Sequence, residues 1–265
     1  MLTTLNAAAL LYGTLVGLAL GLTGIGSVFA VPLLVYGLRL RPHVAVCVSM
    51  AAIAAMALVV SLRKSRMELI AVRVGTTVAA GGTLGAPVGA WVNKQLSPNL
   101  LLVLFAVLAG VIGLWTLFIR KASESNGSQS LSLQQARSQS ILAQLTLMTL
   151  VGLIAGILSG MLGVGGGFFI IPALLFFGGL EIHSAIATSF PVVVLISTVA
   201  MTGHLVAGQR PRFGLTALFA AGGAVGVELG SRLGSRLDRA KLERVFGIAV
   251  LVIAVLIGLR NLHGV

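Results

Sequence analysis

Acidic side chains are almost missing from this chain of 265 residues, which has six Asp and Glu against eighteen Lys and Arg. So few carboxylates leave little for acid–base catalysis, and no His, Cys, Asp or Glu set stands at metal-ligand spacing. Neither an enzyme nor a bound cofactor or metal is expected. The single cysteine, Cys47, excludes an intrachain disulfide and a cysteine metal cluster, and its place within an apolar run suits packing. Two Trp and two Tyr provide no ladder for stacking bases, so the net charge of +12 does not imply nucleic acid. The basic residues fall between apolar runs, where they orient a membrane protein and meet anionic headgroups. Charged residues of both signs make up only 9%, against about 25% in soluble domains.

Apolar residues take their place, at 57% of the chain, with a mean hydropathy of +1.07. Their runs reach the roughly 20 residues needed to cross hydrocarbon, and the alternating segments of a β-barrel are absent. An all-α, polytopic integral membrane protein is expected. Residues 1–24 lack a basic start and lead directly into the pattern below, so they read as a retained first span.

The longest polar stretch, Arg120 to Gln139, is too rich in Ser, Gln and Asn to bury a core. It divides the chain into an N-terminal transmembrane repeat (1–119), a polar linker (120–139) and a C-terminal transmembrane repeat (140–265). Gly17, Gly21, Gly24 and Gly26 align with Gly156, Gly160, Gly163 and Gly165. One residue later, Phe29, Pro32, His43, Ala45 and Ser49 align with Phe169, Pro172, His183, Ala185 and Ser189. Each half reads as four apolar segments, roughly 6–37, 43–62, 70–93 and 98–119, then 140–179, 183–206, 213–234 and 242–262, or about eight transmembrane helices. Each opening segment exceeds one span, so it must tilt strongly or break. Four crossings per half would give repeats in the same sense, and an opening segment that crosses and re-enters would change that.

Glycines recur every four residues at Gly13, Gly17 and Gly21, at Gly152, Gly156 and Gly160, and at Gly81, Gly85 and Gly89. Such stripes bring helix backbones together and are read as packing. "GVGGGFFIIP", Gly163 to Pro172, differs because consecutive glycines point in different directions. Each disfavours a helix by about 1 kcal/mol relative to alanine. Its first-half counterpart is "TGIGSVFAVP", with Ser27 in place of the triple glycine. A kink filled by a neighbouring helix is one reading. The other is an unwound crossing whose downstream half-helices begin near Val28 and Phe168 and aim free amides at an anion.

The candidate substrate-binding set is Thr23, Gly24, Gly26, Ser27, Val28, Ser49, Gly163, Gly165, Gly166, Gly167, Phe168, Thr188 and Ser189. Their backbone amides at Ser27–Val28 and Gly166–Phe168, with the hydroxyls as side-chain donors, would hold the oxygens of one anion. His43 and His183 occupy equivalent places and serve either as proton or anion contacts or as interfacial helix-end residues. Glu228 is a candidate proton-coupling carboxylate, although Arg232 four residues on favours a helical ion pair. Arg73, Lys94 and His204 lie near segment ends and are expected to snorkel.

The motif G-x-G-G-G-x-x-x-x-P, its degenerate first-half copy and the later "AIATS" (Ala185 to Ser189) resemble the TauE/SafE family of sulfite exporters, anion permeases. The resemblance covers essentially the whole chain. It implies a multi-pass permease of the plasma (inner) membrane for small sulfur-containing or organic anions such as sulfite, sulfoacetate or thiosulfate, and the function expected of this chain is export of sulfite or a small organosulfonate by alternating access between the two repeats. It implies the lipid bilayer and a small sulfur-containing anion as partners, and leaves room for a homo-oligomer. An anion channel using the same broken helices and a non-transport membrane scaffold are the alternatives.

Overall fold

The computed structural model describes residues 2–24, 26–62, 69–125, 141–209, 211–234 and 239–262, and no strand occurs among them. Among the described residues up to Ser125 there are five helical stretches: α1 (Leu2–Thr23), α2 (Gly26–Gly37), α3 (Pro42–Ser61), α4 (Val72–Gln95) and α5 (Pro98–Ser125). The described residues from Ile141 onwards form five more: α6 (Ile141–Leu162), α7 (Gly167–Phe176), α8 (Ile182–Val206), α9 (Phe213–Gly234) and α10 (Arg239–Leu262). The long helices account for the apolar segments of the sequence. Helix α5 continues through Ser125, and the remainder of the polar linker lies outside the described residues. Leu5–Thr23, Pro42–Ser61, Gln144–Leu162, His183–Val206 and Phe213–Gly234 are each long and apolar enough to cross a membrane alone. Leu11, Val107, Val206 and Ile248 stand exposed on the outside, a surface made for lipid.

Helix packing follows the glycine stripes. Any side chain on Gly13, Gly17 or Gly21 of α1 would run into the backbone of Phe219, Gly223 or Val227 on α9. Gly152, Gly156 and Gly160 of α6 meet Val78, Gly82 and Ala86 of α4 in the same way. Numbers rise together in both pairs, so both are parallel. Helices α3 and α8 are antiparallel, with Cys47 beside Met201 and the pair Ile53 and Ser197 both against Gly165. Helices α5 and α10 are antiparallel too, Gly110 facing Ala254 and Gly113 facing Leu251. Met50, Ile53, Met56, Ile196 and Phe219 fill the core between these pairs.

The opening segment of each half does break at its glycines, and after the break it turns back. Helix α6 has 22 residues, about 33 Å at 1.5 Å per residue, enough to cross hydrocarbon of about 30 Å. Helix α7 has 10, about half of that depth. It descends along α6, since Gly166 abuts Ala155 and Gln144 Nε2 donates to Phe177 O at 3.2 Å. Helix α2 returns along α1 likewise, with Gly26 against Ala19 and Leu20 and Gly37 against the Tyr12 ring.

The start of α3 and the ends of α4, α6 and α8 meet at one face, where His43, Asn93, Met161 and His204 join one hydrogen-bonded set. Helix α9 leaves that face, and α1, parallel to it, begins there, whereas α6 ends there. The two opening helices therefore point in opposite senses, α1 away from that face and α6 towards it.

Candidate functional site

Helix α6 ends at Leu162 because the chain then takes conformations that L side chains avoid. Gly165 and Gly166 have φ of 73° and 71°, where a Cβ costs about 1–2 kcal/mol. A Cβ on Gly165 would also lie 2.7 Å from Ile53 Cγ2. Helix α7 restarts with Gly166 as N-cap, and the amides of Phe169 and Ile170 both donate to Gly166 O. Residues Gly163 to Phe168 are all buried. Ile53 and Ser197, their neighbours, sit well inside α3 and α8, so the break lies deep between the two faces.

Carbonyls and amides of this break are treated oppositely. Gly160 O accepts from His204 Nε2 at 2.8 Å, and Met161 O from Asn93 Nδ2 at 2.7 Å. Gly163 O accepts from Ser49 Oγ at 2.8 Å, and Val164 O from Ser27 Oγ at 2.7 Å. Each carbonyl is thus capped by a side chain from another element. Among the described residues, none accepts a hydrogen bond from the amides of Val164, Gly165, Gly166, Gly167 or Phe168. A row of unpaired N–H groups at a helix N-terminus, with its carbonyl counter-dipoles neutralised, is a positive site.

Ser197 adds a side chain to it. Its hydroxyl is fully buried and has no partner, and it lies 3.6 Å from the Cβ position of Gly165. A buried unpaired hydroxyl costs about 1–3 kcal/mol. Five consecutive amides and one neighbouring hydroxyl, all buried, are donors without an acceptor among the described residues.

The structure gathers Ser27, Ser49, Gly163, Gly165, Gly166, Gly167 and Phe168 here, and Gly167 also approaches Gly24 O. Ser27 and Ser49 reach the break with their protons committed to carbonyls, so they hold the loop's shape. The first-half break is wound more tightly, as a 3-10 turn over Gly26–Phe29 that contains Gly26, Ser27 and Val28. Thr23 donates to Ala19 O of its own helix. Thr188 accepts from the Ala71 amide, and Ser189 donates to Ile186 O. His43 binds Asn93 Oδ1, a helix end away from the unpaired amides. His183 is exposed at the start of α8. Glu228 pairs with Arg232 at 2.8 Å on a half-open surface, the ion pair that their spacing predicts.

Ser197, Asn93 and Gln209 are the residues that sequence reasoning passes over, and His204 is one that it places wrongly. Ser197 aligns with Ala57 in the other half, so duplication gives no signal for it. His204 does not snorkel: it is fully buried and both ring nitrogens are bonded.

The family model "Sulfite exporter TauE/SafE" matches residues 9–257. The chain belongs to the TauE/SafE family. Among relatives of this TauE/SafE chain, a "Probable membrane transporter protein" of Xylella fastidiosa strain Temecula1 is 32% identical over 250 residues, covering 92% of this chain and 91% of the relative. Its counterpart in strain 9a5c is 33% identical over 251 residues, with the same coverage. "Probable membrane transporter protein YunE" of Bacillus subtilis is 22% identical over 269 residues, 99% of this chain and 97% of the relative. No solved structure matches. Family and helices together make this TauE/SafE member a multi-pass membrane transporter of the plasma membrane.

Proposed function

We propose that this transporter exports sulfite or a small organosulfonate, which it binds at the buried amides of Gly165 to Phe168 and at Ser197 Oγ. The observation that carries the reading is the asymmetry at the break: the Gly160, Met161, Gly163 and Val164 carbonyls are capped by side chains, whereas the five amides from Val164 to Phe168 have no acceptor among the described residues. Such a site favours an anion with several oxygens over a cation or a neutral solute. Burial of the whole break supports a carrier that occludes its solute over an open channel. The two sets of helices then expose the site to each face in turn.

The test is thermal unfolding of the purified protein with sulfite, thiosulfate, sulfoacetate, taurine, sulfate and chloride, paired with flux into proteoliposomes. A ligand that binds only the folded state raises stability by about 2.7 kcal/mol at a hundred times its Kd. Stabilisation by a sulfur oxyanion, lost in Gly166→Leu, together with flux that saturates, is the expected result. No shift with any anion, or an unchanged shift in Gly166→Leu, removes this site.

A further inference from the structure

Four polar side chains close a chain of hydrogen bonds over the end of α6. Asn93 Nδ2 donates to Met161 O at 2.7 Å, and Gln209 Nε2 to Asn93 Oδ1 at 2.9 Å. His204 Nδ1 lies 2.9 Å from Gln209 Oε1, and His204 Nε2 lies 2.8 Å from Gly160 O. His43 Nδ1 joins at Asn93 Oδ1, 3.0 Å away.

The sense of every link follows from its two ends. Met161 O and Gly160 O are peptide carbonyls, which only accept. Met161 O must therefore face the amino group of Asn93, which turns Oδ1 towards Gln209. Gln209 then presents its amino group to Asn93 and its Oε1 to His204. Oε1 only accepts, so Nδ1 carries a hydrogen. Gly160 O only accepts, so Nε2 carries one as well. A histidine with hydrogen on both nitrogens is an imidazolium. A neutral ring would leave one of these oxygens facing a lone pair at hydrogen-bond distance, and turning either amide over only moves that conflict along the chain.

We infer that His204 is a proton-binding site of the transporter, occupied when the four-residue chain on the end of α6 is closed. The α6 carbonyls form the negative end of a helix, which suits a cation there. The titratable groups on the helices packed here are His43 and Cys47 on α3, Arg73 and Lys94 on α4 and His183 at the other end of α8, while α6 contributes none, and His43 is the one joined to the same hydrogen-bonded chain. No carboxylate lies on α3, α4, α6 or α8, so two oxygen acceptors take the place of a counter-ion. A groove of about 690 Å³ lined by Trp91, Lys94, Thr202, Gly203, Val206 and Ala207 lies beside the turn that carries His204, whose own side chain is fully buried. On release, one ring N–H bond breaks and the proton passes to water, leaving a neutral ring that satisfies one oxygen instead of two. Gly160 and Met161 directly precede the break, so proton occupancy and the shape of the amide cup are mechanically linked.

The experiment is ring-15N histidine NMR of the full chain in lipid nanodiscs, from about pH 5 to about pH 9. The His204 ring is assigned by its loss in His204→Gln, or through its bond to a 13C-labelled Gly160 carbonyl should that variant not insert. Expected is one step in which the ring changes from doubly to singly protonated while the Asn93 and Gln209 side-chain amides shift together. In Gln209→Leu the Asn93 amide no longer follows that step. A neutral, single-tautomer His204 with both amides still at their closed-chain shifts overturns the inference. The measurement uses no transported anion, so its outcome is separate from that of the anion site.

Discussion

Ser197 is the residue at which stability and binding part company. Truncating a paired buried hydroxyl destabilises a protein, but removing an unpaired one is neutral or favourable. Ser197→Ala is therefore expected to leave the anion-free melting temperature unchanged or higher. A hydrogen bond to a charged group contributes about 1.5–3 kcal/mol, so sulfite affinity should fall by about tenfold or more, read by titrating the thermal shift. Equal destabilisation with and without sulfite would make Ser197 a plain packing residue. Gly165 and Gly166 separate strain from crowding. Both have left-handed φ, but a Cβ on Gly165 meets Ile53 at 2.7 Å, whereas one on Gly166 finds nothing closer than 3.4 Å. Gly165→Ala should lose more stability than Gly166→Ala, by about 1 kcal/mol or more, in side-by-side unfolding curves.

At the scale of elements, the glycine stripes mark where two backbones touch, and their positions state what each substitution does. Gly17→Ala and Gly156→Ala each push a methyl into a neighbouring backbone carbonyl, Gly223 O and Gly82 O, which has no rotamer to yield. Each is expected to destabilise by about 1–3 kcal/mol. Gly258→Ala in α10 meets nothing within 4 Å and gains helix propensity of up to about 1 kcal/mol. Reversal of that order in thermal unfolding would mean that the stripes are not packed as described. Much of this level was legible in the sequence. Spacing of four among the glycines, the opening segments too long for one span and the triple glycine all identify contacts and breaks from local chemistry. The return of the chain after each break was not, because a reversal and a mid-span kink call for the same residues. Nor were the capping roles of Ser27, Ser49 and Asn93, whose carbonyl partners stand 137, 114 and 68 residues away.

For the whole molecule, the path of the chain predicts which loops share a side of the membrane. Arg41, Ser97 and Gly208 belong to the face where His43 and His204 lie, and Leu62 and Glu181 to the opposite one. All five are exposed. Single-cysteine variants at these positions, made on a Cys47→Ala background, are expected to react with an impermeant maleimide in those two groups. Glu181→Cys decides the matter: a chain with one crossing per opening segment puts it on the side of Arg41, and a chain that doubles back puts it opposite.

Each opening helix lies against a helix of the other half, α1 on α9 and α6 on α4, and the Gly13–Gly21 stripe meets its mate only across that divide. A ribosome thus releases α1 into the bilayer long before its counterpart has been made, and its glycine face must wait beside lipid. Neither half is a self-sufficient folding unit. Two polypeptides cut within residues 126–140 should rebuild a working transporter when synthesised together, whereas either piece alone should be cleared by proteolysis.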